Sequence, residues 1–240
     1  MSSFLLVHGA WLGGWSWREV ARRLQRDGHD AFTPTLTGMG ERQHLAGPSV
    51  DLETHISDIL AVIEYERLDD FALVAHSYGG MVATAVADRV PERIRTLIYV
   101  DAALPENGQA MLDLVPEKRK QENIDLAEKD GGGFQVPGSM LLNTGIEDDD
   151  AREAFVSRTG FHPLGALLQP IELTGRFNEI KNKAYLFAAH HNTPRFRGYM
   201  EWAKGEPGWT GEELDTSHFP MATEPEETAA TFTRIHGSNG

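Results

Sequence analysis

Short apolar runs alternate with longer segments of helical periodicity along the first hundred residues of the chain. Continuous apolar runs, without polar positions between them, are typical of strands buried on both faces of a parallel sheet. Four segments have this character: FLLV at 4–7, DAFTPTL at 30–36, FALVAH at 71–76 and IRTLIYV at 94–100. We therefore predict four parallel strands in this part of the chain.

Segments with helical spacing separate these strands. Residues 15–27 carry apolar positions among charges, and the apolar residues of 52–63 fall on one helical face. Small residues at 78–89 predict a third helix directly after the third strand. Strands alternating with helices predict an α/β protein whose mainly parallel sheet is flanked by helices on both faces.

The alternation stops after the fourth strand. Residues 105–178 contain GGG at 131–133, the acidic run EDDD at 147–150 and only irregular helical patterning, and EDDD suits a helix N-terminus. Alternation resumes with AYLFAAH at 184–190, a helix from Pro194, the short segment WTGEEL and a last helix near Pro225. We expect 1–104 and 179–240 to form the core and 105–178 to be an inserted cap above the sheet.

Composition narrows the class of protein. The 240 residues suit a single α/β domain, and 36 acidic against 22 basic residues give a net charge of −14. Such a charge repels nucleic acid and anionic membrane surfaces, so we expect neither as a partner. The absence of cysteine excludes disulfides and thiolate chemistry. The N-terminus lacks a basic region and a long apolar run, so we expect a cytoplasmic protein. A homodimer is left open.

The segment AHSYGG at 75–80 has the context of a nucleophile elbow, which reads G-x-S-x-G between a strand and a helix. Ala75 replaces the first glycine, a small residue that the tight turn tolerates. The backbone N–H of Tyr78 would lie at a helix N-terminus and face developing negative charge. The alternative is a serine in an ordinary turn, but the flanking strand and helix favour Ser77 as a nucleophile.

Five motifs give the chain a resemblance to a known family: HGAWLGGWSW at 8–17, LTGMGERQHL at 36–45, AHSYGG at 75–80, LIYVDAALPENGQ at 97–109 and SHFPM at 217–221. In this order they resemble the α/β-hydrolases. They are most similar to the branch that holds plant salicylate-type methylesterases, hydroxynitrile lyases and small bacterial carboxylesterases. The resemblance implies the α/β-hydrolase fold, and it implies that the backbone N–H of Ala10 completes an oxyanion hole with that of Tyr78.

The order of residues in such sites requires a histidine after the last strand, and His218 is in that position. The alternative is a histidine in a surface loop. We interpret His8 and His76, which belong to the other motifs, as structural. His190 and His191 are adjacent, so on a strand they would point to opposite faces and chelate poorly. We therefore expect neither a metal nor a cofactor.

The acid that should orient His218 is missing from its usual place. In the resembling branch an aspartate follows the strand that matches AYLFAAH, but here the expected position holds His191 or Asn192. Asp101 ends the strand LIYV after the nucleophile helix, where the related haloalkane dehalogenases carry their acid. We predict Asp101 as the acid.

One alternative to that assignment stays open. Asp101 could merely cap the junction with the cap insertion, with Asn192 or water orienting His218. Asp215 is the nearest acid along the chain, but it lies only three residues before His218, too local to reach the far ring nitrogen.

A serine, a histidine and two oxyanion N–H groups form acyl-transfer machinery, so we predict hydrolysis of a small ester through an acyl-enzyme. Ser77 excludes the dehalogenase reaction, which needs a carboxylate nucleophile. By resemblance, hydroxynitrile lyases would carry threonine and lysine at the positions of Gly9 and Phe219, which favours an esterase. The alternative is a non-hydrolytic protein on the same fold: a cofactor-free lyase or cyclase, or a small-molecule receptor.

Apolar residues in the cap insertion indicate an apolar or aromatic ester as substrate. They are Phe134, Met140, Leu141, Phe155, Phe161 and Leu167.

Overall fold

The computed structural model describes residues 1–138, 145–191 and 193–237. Its strands are β1 Ser3–Val7, β2 Asp30–Phe32, β3 Phe71–His76, β4 Ile94–Val100, β5 Gln135–Pro137, β6 Phe161–Pro163, β7 Asn182–Ala188 and β8 Trp209–Leu214. Its helices are α1 Arg18–Arg26, α2 Leu52–Tyr65, α3 Gly79–Arg89, α4 Glu117–Asp130, α5 Asp149–Val156, α6 Leu164–Leu168, α7 Pro194–Gly205, α8 Pro220–Thr223 and α9 Pro225–Gly237.

Six strands form the main sheet in the order β2-β1-β3-β4-β7-β8, and every neighbouring pair is parallel. The register pairs His76 with Val100 and Val100 with Leu186. The residues that follow β3, β4 and β7 therefore emerge side by side at the carboxyl edge of the sheet, where ligands of such sheets bind. The α/β class with a mainly parallel sheet is confirmed.

The sheet is buried on both faces because its central strands are apolar at nearly every position. All of β3 is buried. Leu73 packs with the apolar residues of α2 and α3, while Val74 packs on the opposite face with those of α1 and α9. Successive strand side chains point to opposite faces, so one continuous apolar run supplies both layers of the core.

The predicted elements of the core are present, with three adjustments. The strand expected at 184–190 is β7, which ends at Ala188, so His190 and His191 lie in the turn after it and not on a strand. The second strand is confined to β2 and ends before Pro34, which has no N–H to donate to a neighbouring strand. The helix expected over 15–27 begins as a 3₁₀ turn at Gly14–Trp17 and becomes α-helical only at Arg18. Among the described residues, no helix is long and apolar enough to cross a membrane.

The segment between β4 and β7 contributes α4, α5, α6 and the antiparallel pair β5–β6. The indole N–H of Trp11 donates to the Val136 carbonyl, and the Gly160 N–H donates to the Trp11 carbonyl. These bonds attach the segment to the loop after β1, and we propose that 105–178 acts as a cap over the carboxyl edge. Met140 and Leu141 lie outside the described residues.

The acidic run EDDD begins a helix, as predicted. The Asp148 carboxylate accepts the Ala151 N–H, and α5 starts at the next residue. This is the capping that the free N–H groups of a first helical turn require.

Candidate active site

Ser77 lies on a tight turn between β3 and α3 and has a left-handed φ of 52°. Its carbonyl accepts the N–H groups of Gly80 and Ala103 at 3.1 and 2.9 Å. A Cβ atom at position 80 would lie 2.0 Å from the Ala103 carbonyl oxygen, so only glycine permits this close approach of helix and strand end. The turn holds Ser77 at the carboxyl edge of the sheet.

His218 lies between β8 and α8, and its side chain reaches Ser77. Its Nε2 is 3.1 Å from Ser77 Oγ. The ring of His76 lies beside it, and His76 Nε2 is 2.7 Å from the His218 carbonyl oxygen, so that nitrogen carries the proton and donates. His76 thus has the structural role that we expected, because it fixes the backbone of the loop that carries His218.

Asp101 follows β4 and is fully buried, with a left-handed φ of 44°. One carboxylate oxygen, Oδ2, is 2.6 Å from Nδ1 of His218. The other, Oδ1, accepts the Ala188 N–H at 3.2 Å, and the Asp101 N–H donates to Leu186 at 2.7 Å. Both carboxylate oxygens are therefore occupied, and β7 holds the residue in place.

Protonation follows from these contacts. Burial opposes ionisation of Asp101, but hydrogen bonds from His191 and His218 outweigh it and lower the pKa of Asp101 to about 2. Burial also lowers the pKa of His218 and outweighs the opposing effect of the Asp101 carboxylate. An ionised carboxylate only accepts, so neutral His218 carries its proton on Nδ1 and presents the lone pair of Nε2 to Ser77.

A second imidazole shares the same carboxylate, a contact that we did not predict from the sequence. Nδ1 of His191 is 2.6 Å from Asp101 Oδ2, the oxygen that also faces His218. The only signal in the sequence is the position of His191 just after β7, where the resembling branch places its acid. Asn192, the other residue weighed for that position, lies outside the described residues.

Asp215 is bonded to a different histidine. Its carboxylate pairs with His190 at 2.8 Å, and both side chains are exposed. As expected from its place three residues before His218, it is not bonded to the His218 ring, whose Nδ1 faces Asp101.

The loop after β1 passes close to Ser77. A Cβ atom at Gly9 would lie 3.0 Å from the Ser77 Cβ, so this loop passes directly beside the turn. His8 secures it, since its ring contacts the Gly9 carbonyl and accepts the Leu36 N–H. Ala10 is the residue that follows this close approach of Gly9 to Ser77.

Tyr78 precedes the first residue of α3, so its N–H belongs to the first turn of that helix. Its side chain is fully buried, and the hydroxyl is 2.8 Å from Nδ1 of His55. This contact anchors the turn to α2. Ala10 and Tyr78 thus belong to two different segments that approach Ser77, the loop after β1 and the start of α3.

Asp101, His191 and His218 also make up a group that could ligate a metal ion, with one donor atom from each lying within 4.8 Å of the others. Nδ1 of His191 and Nδ1 of His218 each lie 2.6 Å from Asp101 Oδ2. Ligands of a tetrahedral zinc ion with bonds of 2.0–2.1 Å are separated by about 3.3 Å. The observed spacing therefore corresponds to hydrogen bonding, and a metal would require the three groups to move apart.

Comparison with known proteins matches residues 4–231 to the alpha/beta hydrolase family. The chain belongs to this family. It is 39% identical over 238 residues to the carbendazim hydrolyzing esterase of Nocardioides sp. (strain SG-4G), covering 95% of this chain and 97% of that protein. It is 34% identical over 107 residues to methylesterase 9 of Arabidopsis thaliana, covering 44% of this chain and 42% of that protein.

Among solved structures of the α/β-hydrolase family, an extracellular alpha/beta-hydrolase from a Paenibacillus species superimposes with a TM-score of 0.83. The two chains are 24% identical, and the match covers 98% of this chain and 99% of the other. At this level of identity the likeness establishes the fold. The family match and the two esterase relatives confirm the α/β-hydrolase branch that the five sequence motifs indicated.

Proposed function

We propose that this chain is a carboxylesterase-type serine hydrolase that cleaves a small apolar or aromatic carboxylic ester through an acyl-enzyme. The observation that carries the proposal is one continuous path of hydrogen bonds. It runs from Ser77 Oγ to His218 Nε2 at 3.1 Å and from His218 Nδ1 to Asp101 Oδ2 at 2.6 Å. A nucleophile, a base and a group that orients the base are thus in contact.

In the first half of the reaction, His218 Nε2 takes the Ser77 proton while Oγ attacks the ester carbonyl. The Asp101 carboxylate holds the Nδ1–H tautomer and stabilises the imidazolium that forms. His218 then gives its proton to the leaving alkoxide, so the C–O bond of the ester breaks and the alcohol departs. Water, deprotonated by the same imidazole, hydrolyses the acyl-enzyme and restores Ser77.

The negative charge of the tetrahedral intermediate requires donors beside Ser77. We assign this role to the backbone N–H groups of Ala10, in the loop that passes beside Ser77, and of Tyr78, the residue that follows Ser77. Tyr78 stands at the N-terminus of α3, where the helix dipole favours negative charge. Loss of one such donor costs about 100- to 1000-fold in other hydrolases.

Aromatic contacts next to the base support an apolar substrate. Phe219 follows His218, and its ring centre lies 5.2 Å from that of Phe155 in the cap segment. Phe155 also contacts Trp15 in the loop after β1. Two relatives are esterases by name: the carbendazim hydrolyzing esterase, which matches this chain over nearly its full length, and the plant methylesterase. Both names support a small ester as the substrate.

The geometry around Gly9 argues against the lyase alternative. A Cβ atom there would lie 2.7 Å from Nδ1 of His76 and 3.0 Å from the Ser77 Cβ. The threonine that the resemblance associates with hydroxynitrile lyases has no room at this position. The lysine associated with those enzymes is replaced by the buried Phe219.

The test is removal of the nucleophile. Ser77→Ala should lower kcat for p-nitrophenyl acetate at least about a thousandfold and abolish labelling by a fluorophosphonate, because no other group replaces the attacking oxygen. Ser157→Ala, which changes an exposed serine on the cap segment, is the matched control and should behave like the parent protein.

Three results would contradict the proposal. They are retention of more than a few per cent of activity in folded Ser77→Ala, fluorophosphonate labelling elsewhere in the chain, and no turnover of any aryl or methyl ester. Rapid cyanide release from mandelonitrile would favour the lyase instead.

A further inference from the structure

Two imidazoles converge on one carboxylate oxygen. Asp101 Oδ2 is 2.6 Å from Nδ1 of His218 and 2.6 Å from Nδ1 of His191. Since Asp101 is fully buried and ionised, both nitrogens must donate to it. A Ser–His–Asp relay needs only the first of these bonds, so the second requires its own explanation.

His191 is held in this position by several contacts. Its ring centre lies 4.1 Å from that of His218 and 5.9 Å from that of Phe196 at the start of α7. The Thr193 hydroxyl lies 3.2 and 3.1 Å from its two ring nitrogens. The side chain is 32% exposed, whereas that of His218 is 13% exposed. His191 therefore covers the outer side of the Asp101–His218 pair and does not contact Ser77.

Sharing an acceptor weakens each of the two bonds. The charge on Oδ2 that would stabilise the His218 imidazolium is partly neutralised by the His191 N–H. The titratable groups that face His218 are Asp101 from the end of β4, His76 from β3 and His191 after β7. The charge on Asp101 raises the pKa of His218, while a charge on His191 lowers it.

We propose that His191 is a positioning residue that holds the Asp101 carboxylate and, by sharing its Oδ2 atom, limits the basicity that Asp101 confers on His218. This inference rests on the proposed function. In the resembling branch, the acid of the triad follows the strand that corresponds to β7. In this chain that position carries His191, a hydrogen-bond donor, which holds in place an acid, Asp101, from the end of the neighbouring strand β4. The base is thereby kept neutral, and able to accept the Ser77 proton, at a lower pH than with an unshared carboxylate.

Two substitutions separate the hydrogen bond from the ring. His191→Phe keeps an aromatic ring against His218 and removes the donor. His191→Asn loses the ring but places an amide N–H where Nδ1 lies. His190→Phe is the matched control, because the neighbouring side chain pairs with exposed Asp215 and does not contact Asp101.

The readout is the pH profile of kcat/KM for p-nitrophenyl acetate. In His191→Phe, the acid limb should move to higher pH by about half a unit to one unit, since Asp101 then serves His218 alone. The plateau of kcat should fall about three- to tenfold because the carboxylate has lost one constraint. His191→Asn should restore most of both values, and His190→Phe should leave them unchanged.

A second readout needs no catalysis. The low-field proton resonance of His218 Nδ1–H should move further downfield in His191→Phe, because its acceptor is no longer shared.

Failure of the proposed function would appear as hydrolysis that survives Ser77→Ala and would leave this shift intact. If folded His191→Phe shows neither the NMR shift nor a displaced acid limb, the inference is wrong. Equal loss of activity in His191→Phe and His191→Asn at every pH would assign a purely structural role and overturn it as well. If His191→Phe fails to fold, His191→Leu takes its place, since leucine also lacks a donor to Asp101.

Discussion

Backbone strain at single residues concentrates beside Ser77. Five described residues other than glycine have a positive φ, and three of them are Trp11, Ser77 and Asp101. A left-handed conformation costs about 1–2 kcal/mol for such residues. The surrounding hydrogen bonds and packing must offset that cost. At Ser77, for example, the backbone carbonyl and the N–H are both hydrogen-bonded. The strain places the hydroxyl and the carboxylate above the sheet edge instead of along the strands.

Replacement of Asp101 tests the residue on which the proposed relay depends. In Asp101→Asn, one orientation of the amide places its NH₂ against the two imidazole donors, and the other places it against the Ala188 N–H. Either way donor meets donor, so the tautomer of His218 is no longer fixed. We expect kcat for p-nitrophenyl acetate to fall by orders of magnitude, up to about 10⁴-fold, with a smaller change in KM.

The matched control for this experiment is Asp215→Asn, which removes an exposed carboxylate that contacts only His190 among the described residues. It should retain the parent kcat. Circular dichroism and a thermal melt establish that both proteins are folded. A folded Asp101→Asn protein with near-parental kcat would remove Asp101 from the proposed triad.

At the scale of elements, the sequence predicted the sheet because its strands are buried on both faces and therefore apolar at nearly every position. It also placed Ser77, Asp101 and His218 at one edge, since parallel strands end together. It did not predict the contact between His191 and Asp101. That contact depends on the turn after β7, where Ala188 and His191 fold back onto Asp101, and apolar patterning carries no information about such a turn.

The close packing of α3 against the end of β4 gives a prediction at this scale. In Gly80→Ala, the new methyl group would lie 2.0 Å from the Ala103 carbonyl oxygen, so the helix must move away from the strand end. We expect the free energy of unfolding to fall by about 1–3 kcal/mol. Esterase activity should also fall, because Ser77 moves with the turn.

Gly198→Ala is the matched control. Gly198 lies inside α7, and a Cβ atom there would have nothing within 4 Å. Alanine favours helix by up to about 1 kcal/mol over glycine, so the control should be as stable as the parent protein or more stable. Urea unfolding curves for both variants measure the difference. Equal stability of Gly80→Ala and the parent would contradict the steric argument.

For the whole molecule, the notable feature is a set of histidines buried within the fold. His8, His55, His76 and His162 are each at most 1% exposed. Burial lowers the pKa of all four, and for His8 to about 4. His162 is the extreme case, since neither ring nitrogen has a hydrogen-bond partner among the described residues. Packed against Tyr78, it stays neutral because neither nitrogen has an acceptor among the described residues that would compensate a charge.

These histidines predict a protein that loses stability in mild acid. Each has a folded-state pKa below its unfolded value of about 6.5, so the unfolded chain binds more protons as the pH falls. The contribution of these histidines to the free energy of unfolding is fully present above pH 6.5. Below that pH it is lost by up to about 1.4 kcal/mol per pH unit for each histidine. For His8 the loss continues down to about pH 4, its pKa in the folded protein. Urea unfolding between pH 8 and pH 4.5 should therefore show a plateau and then a decline that corresponds to more than one proton.

His162→Leu isolates one member of this set. An apolar side chain of similar size leaves no unpaired nitrogen, so the protein should be at least as stable as the parent at pH 8. Below pH 6.5 the slope of the free energy of unfolding against pH should decrease by close to one proton, and the advantage of the variant should grow as the pH falls. His44→Gln, at an exposed position, controls for the loss of a surface histidine. A parental slope in His162→Leu would mean that His162 already binds its proton in the folded state, and the argument from burial would fail at that residue.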